Sequence, residues 1–320
     1  MCDWRPSANL NMLRQRAQIL SDIRAFFSHQ KVLEVETPAL SRAANTDPYI
    51  ESFSLTNGQR FLHTSPEYAM KRLLASGSGD IYQICKVWRE EEAGKQHNPE
   101  FTLLEWYRVG FGYHQLMKEV ESLLLSLLIL KKPSKFYSYQ QLFIEFLQIN
   151  PHKADHSTLI TCVKKNVPQL EIGDETNWQQ QDLLDVLLTH CLEPVFDKEQ
   201  LTFVYDYPVT QSALANVRPT TQIEEAVAER FEVYLGPSEL GNGYQELTDA
   251  KKNADVITTE LAQRKRQQQR AVPQDKYFLQ AMQHGMPFTS GVAIGVDRLL
   301  MCKFNKHHIQ QVISFPWATA

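Results

Sequence analysis

The sequence predicts an α+β fold in which an antiparallel sheet is flanked by helices. Strand-like and helix-like stretches follow one another in irregular order rather than as repeated βαβ units, which argues against a doubly wound sheet. Two stretches, 81–88 and 102–109, are rich in β-branched, aromatic and apolar residues and flank the polar run 89–99. They read as antiparallel strands joined by a long loop. No Gly-x-x-x-x-Gly-Lys-Ser/Thr loop and no Gly-x-Gly-x-x-Gly turn is present, so any nucleotide is held by other means.

Each element follows from its local pattern. From Asn9 to His29 apolar residues recur at helical spacing, giving a long amphipathic helix. Residues 31–38 alternate as a short strand stopped by Pro38. Ser65-Pro66-Glu67 opens a helix to about Ala75, with Ser65 as N-cap, Pro66 pre-set for the first turn and Glu67 favoured by the helix dipole. Residues 113–191 are mostly helical in pattern and read as an insertion. Strand signals return at 201–207, 231–235 and 245–247, before a polar helix over 249–270. The strand 291–296 then runs into a helix at 297–301.

The composition of the 320 residues, 43% hydrophobic and 22% charged, is that of a globular chain. The longest apolar run, 123–130, is interrupted by Ser126 and far below the roughly 20 residues of a membrane span. The N-terminus has no signal-peptide pattern, so a cytoplasmic location without membrane association is expected. Five scattered cysteines never form a Cys-x-x-Cys pair and read as reduced thiols. The net charge of −4 lacks the basic footprint of a large nucleic-acid interface.

The most informative stretch is Arg89-Glu90-Glu91-Glu92, then His97-Asn98-Pro99-Glu100-Phe101, then Glu105-Trp106-Tyr107. It resembles motif 2 of the class II aminoacyl-tRNA synthetases, in detail their lysine-specific branch. Residues 32–38 resemble the end of motif 1, and Gly291 to Arg298 resembles the Gly-x-x-x-Gly-x-x-Arg of motif 3. A lone arginine is usually a surface salt-bridge partner. Here Arg89 and Arg298 each sit inside a full motif, and guanidinium forks suit triphosphate oxygens.

The resemblance implies a class II synthetase catalytic core that uses ATP and magnesium. It implies Arg89 and Arg298 as catalytic phosphate-binding groups, with Glu90, Glu91, Asn98, Phe101, Glu239, Leu240 and Gly295 also at ATP. Phe101 would stack on adenine, although its place in the strand fits a core residue equally. Glu90 departs from the family, which more often has asparagine there. Glu239 and Glu246 would coordinate magnesium, which favours carboxylate oxygens. Ser65, Pro66, Glu67, Glu105, Tyr107, Glu246 and Ala293 match the substrate pocket. A lysine-like substrate brings a second ammonium, and burying it demands carboxylate partners. An ionised substrate carboxylate is itself the nucleophile on the α-phosphate, so no protein base is needed and the product is an adenylate.

Residues 1–320 are expected to form a single catalytic domain with a helical insertion at about 113–200 and no anticodon-binding domain, since the motif 1 helix starts near Asn9. This makes tRNA a doubtful partner. The pattern resembles the truncated lysyl-tRNA synthetase paralogues that transfer lysine or (R)-β-lysine to a lysine side chain of elongation factor P. Ala293 replaces a glycine of the synthetases; its methyl either reshapes the pocket floor or is a packing change, and one methyl is worth only about 1–3 kcal/mol of discrimination. A homodimer is implied by motif 1. A minimal tRNA-lysine ligase and an inactive regulatory paralogue are the alternatives, and the intact Arg89, Glu91, Glu239, Glu246 and Arg298 set argues against the latter. The basic stretch Arg264 to Arg270 reads as a solvated face.

Overall fold

The computed structural model describes residues 4–55, 58–90, 92–221 and 225–320. The chain divides into two compact units, residues 1–129 with 246–320 and residues 130–245.

The first unit begins with α1 (Leu10–His29), capped by Asn9, whose side chain accepts from the Met12 N–H at 2.9 Å. Three short strands follow: β1 (Leu33–Glu34), β2 (Leu40–Ser41) and β3 (Phe61–Leu62). Then come α2 (Glu67–Ala75), β4 (Ile81–Trp88), β5 (Glu100–Val109) and α3 (Tyr113–Leu127). The strand expected over 31–38 shrinks to two residues, although the Val35 N–H still donates to Tyr82 O at 2.9 Å. β1 pairs parallel with β4, and β4 pairs antiparallel with β5 in the register Ile81↔Tyr107 and Gln83↔Glu105. The hairpin expected around the polar loop is therefore present.

The second unit holds β6 (Lys135–Ser138), α4 (Tyr139–Leu147), α5 (His156–Asn166), α6 (Gln180–Leu187), β7 (Leu201–Pro208), β8 (Val217–Arg218), β9 (Val227–Leu235) and β10 (Ser238–Gln245). β6 pairs parallel with β7, while β9 pairs antiparallel with β7, β8 and β10. The stretch read as mostly helical thus contains a strand, β6, whose four residues are too few to show a period. Tyr139, Phe143, Leu159, Leu183, Val204 and Tyr234 belong to this unit's apolar core. The strand expected at 245–247 begins earlier, at Ser238, and so includes Glu239 and Leu240.

The chain returns to the first unit with α7 (Ala250–Arg266), α8 (Lys276–His284), β11 (Thr289–Gly295) and α9 (Val296–Lys303). β11 pairs antiparallel with β5, setting Gly291 opposite Tyr107, Ala293 opposite Glu105 and Gly295 opposite Leu103. Strand alternation then sorts the side chains. Phe27 of α1 stacks on Tyr82 at 4.4 Å and meets Trp106 edge-on at 5.2 Å, so α1 covers one face of β4 and β5. Gln83, Glu105, Tyr107 and the small residues of β11 occupy the opposite face. The α+β expectation holds, with helices packed on largely antiparallel strands and no separate anticodon-type barrel among the described residues. No described helix is long and apolar enough to cross a membrane.

Lys265 and Arg266 are exposed, as the reading of a solvated basic face expects, but Arg264 departs from it. It is 2% exposed, donates to Asp47 O at 3.0 Å and is paired with the Glu51 carboxylate. Arg270 lies 3.3 Å from Glu90 Oε2. The C-terminal end of α7 thus braces the segment around Glu51, whose carbonyl accepts from the Glu90 N–H at 2.9 Å.

Candidate active site

The start of α2 builds the acidic centre. Ser65 Oγ accepts from the Glu67 N–H at 2.9 Å and donates to Glu105 Oε2 at 2.6 Å. The hydroxyl therefore ties the first turn of α2 to the middle of β5. Pro66 takes the cap position, where its missing N–H costs nothing. Tyr107 donates its phenol to Glu105 Oε1 at 2.7 Å. The fully buried Lys71, one turn beyond Glu67, donates to Glu67 Oε1 at 2.7 Å, and its ammonium lies 2.6 Å from Glu246 Oε2.

Glycine makes room for this cluster. A Cβ at Gly291 would stand 2.5 Å from Glu246 Oε1 and 2.4 Å from the Tyr107 ring, so a side chain there collides with both. Gln83 adds a buried Oε1 without a hydrogen-bond partner on the same sheet face. An acceptor left unpaired inside a protein is costly unless a ligand supplies the donor. A cavity of about 590 Å³ is walled by Ser65, Pro66 and Glu67 at the start of α2 together with Arg72, Lys276 and Tyr277. That volume lies in the range of small-molecule sites.

The crowding of carboxylates shows in their proton affinities. Burial, then the charge of Glu67, raises Glu105 from 4.5 to about 7. Burial also raises Glu246 to about 7 against the opposing pull of Lys71. Tyr107 is pushed well above its usual value by burial and by Glu105. Burial alone would lower Lys71, but the charges of Glu246 and Glu67 outweigh it and hold the ammonium charged. The cluster is therefore short of cations.

The guanidinium end is built on the same strands. Arg89 follows β4, and its Cζ sits 5.0 Å from the centre of the Phe101 ring while Nη1 pairs with Glu92 at 3.0 Å. Its Nε is buried without a hydrogen-bond partner, a donor available to an anion. Arg298, in the first turn of α9, donates to His97 Nε2. Burial and then the Arg298 charge lower the His97 pKa, with Arg89 adding to it, so His97 is a neutral acceptor facing both guanidiniums. α9 is fixed by Asp297, which accepts from the Thr102 N–H at 2.6 Å and pairs with Arg16 at 2.5 Å.

The structure brings Ser65, Pro66, Glu67, Glu105, Tyr107 and Glu246 to one cluster, with Ala293 at the register position opposite Glu105. Arg89, Phe101 and Arg298 lie with His97, and Gly295 caps α9. Asn98 has both ends of its amide committed within the protein, to Glu100 O at 2.6 Å and the Trp317 N–H at 2.9 Å. Its visible role is to brace the entry to β5. Glu90 is turned to Arg270. Glu239 and Leu240 lie on β10 in the second unit, and Glu91 lies outside the described residues. Sequence reasoning missed Lys71, Gln83, Arg16 and Asp297. Only Asp297 carried a signal, its place one residue before the motif 3 arginine.

A strand face opened by glycine thus carries an acidic cluster, with one guanidinium at the end of β4 and a second in the first turn of α9. The chain belongs to the family described as tRNA synthetases class II (D, K and N), whose match spans residues 1–319. It is 43% identical over 320 residues to "Elongation factor P--(R)-beta-lysine ligase" of Haemophilus influenzae (strain PittGG), covering 98% of this chain and 97% of the relative. Proteins of the same name from Erwinia tasmaniensis and Proteus mirabilis are 42% identical over 322 and 326 residues, covering 98% and 99% of this chain and 97% and 98% of theirs. The chain is accordingly a ligase.

Proposed function

We propose that this ligase activates lysine or (R)-β-lysine with ATP, forming an aminoacyl-adenylate, and transfers the lysyl group to a lysine side chain of elongation factor P. The convergence of Glu67, Glu105 and Glu246 around Lys71 and Tyr107 carries the reading. Such a pocket suits a dicationic amino acid, whose ammonium groups satisfy carboxylates that are otherwise forced to hold protons. The names and near-complete coverage of the relatives support the acceptor.

In this reading Arg89 binds and neutralises the α-phosphate and Arg298 holds the distal phosphates, while the substrate carboxylate attacks in line. Phe101, beneath Arg89, offers a ring for adenine. Among the described residues no group of three or more His, Cys, Asp or Glu stands ready to hold a metal. Glu239 and Glu246 are the proposed carboxylates for magnesium arriving with ATP, Glu246 also carrying the Lys71 ammonium. Magnesium keeps several waters and needs only one or two carboxylates beside phosphates, so this sparse donor set fits it. When bound it neutralises triphosphate charge. A homodimer through the α1 and β1 region is part of the proposal, supported by the exposed Leu10 and Leu33, as is a cytoplasmic location beside its acceptor.

The test is the mass of elongation factor P after incubation with the enzyme, ATP and each lysine isomer. A lysyl-sized increase on the factor is the expected result. Charging of tRNA with an unmodified factor would reverse the ranking in favour of a minimal tRNA-lysine ligase.

A further inference from the structure

A lysine four residues after a glutamate on a helix ordinarily forms an exposed pair worth a few tenths of a kilocalorie. Lys71 is instead fully buried, and its ammonium joins Glu67 of its own helix to Glu246, which precedes α7 in the chain. Glu105 and Tyr107 from β5 face the same cluster. Three acidic side chains against one fixed ammonium leave two of them without a cationic partner, the number of ammonium groups on a diamino acid.

We infer that Lys71 is a positioning and specificity residue, an internal counterion that holds Glu67 and Glu246 in place and matches the pocket's charge to one dicationic amino acid. The inference rests on the reading of this cluster as a diamino-acid pocket. Without the ammonium, the buried Glu246 and the partly exposed Glu67 repel each other and lose the link that fixes both rotamers. An incoming substrate ammonium is then drawn toward the vacated position, away from the guanidinium end. Lys71 touches neither reacting carboxylate nor phosphate in this scheme; it acts through the two glutamates.

The test measures ATP–pyrophosphate exchange for wild type, Lys71→Met and Lys71→Arg, with separate KM values for the amino acid and for ATP, and melting curves for each. Wild-type exchange with a diamino acid comes first; its absence would defeat the pocket reading itself, whereas the inference stands or falls on the variants. Lys71→Met is expected to raise the amino-acid KM by about tenfold or more while the ATP KM stays within about twofold. Lys71→Arg, which keeps the charge, recovers part of that affinity. An unchanged amino-acid KM in Lys71→Met overturns the inference, as does an arginine variant no better than methionine. Parallel loss of both KM values together with a collapsed melting temperature also overturns it, because Lys71 would then be a core residue only.

Discussion

Glu105 shows how far a single residue's chemistry is set by its surroundings. Its carboxyl ordinarily titrates at 4.5 and is raised to about 7 in the folded pocket, chiefly by burial and then by Glu67. Between those values the folded chain holds a proton that the unfolded chain has released. This group's contribution to stability is therefore full at acid pH and is lost as pH rises through about 7. Glu105→Gln removes that loss. Its stability relative to wild type should grow by on the order of 1–3 kcal/mol between about pH 5 and about pH 8. Denaturant unfolding at the two pH values checks this; a difference independent of pH would contradict it. Glu105 was legible because it stands within a recognisable motif. Lys71 was not, since its burial depends on Glu246, which lies 175 residues further along the chain.

At the scale of elements, β11 matters for what it lacks. Its glycine at position 291 lets the Tyr107 ring and the Glu246 carboxylate occupy space that any Cβ would fill. Gly291→Ala is expected to cost about 1–3 kcal/mol of stability through overpacking. It should also displace Tyr107 and Glu246, so that lysine-dependent exchange falls more than ATP binding does. Thermal melting and steady-state exchange measure the two effects, and normal amino-acid affinity in this variant would show that the strand has slack. The hairpin, α1, α2 and the strand-to-helix passage into α9 were readable because each has a long period or clear punctuation. The shortened β1, the four-residue β6 and the burial of Arg264 were not. Arg264 belongs to a basic run at a helix end, and only the approach of the segment around Glu51 takes it out of water.

For the molecule as a whole, composition excluded more than it specified: a net charge of −4 and the missing phosphate loops narrowed the field without naming a substrate. The three separated motifs fixed the family, yet their convergence is a tertiary fact. Gln83, with an unpaired acceptor beside Glu105, carried no sequence signal at all. In the proposed function, the cluster's excess of acidic groups over ammonium is the property on which substrate choice turns. Removing the side-chain ammonium from lysine while keeping its carbon chain gives norleucine, which is one heavy atom shorter and leaves a buried acid unpaired. The decisive measurement is ATP–pyrophosphate exchange with lysine and with norleucine under identical conditions. Exchange with lysine and a kcat/KM for norleucine lower by at least about a hundredfold is the expected result; comparable values for the two would show that the acidic cluster does not select the substrate.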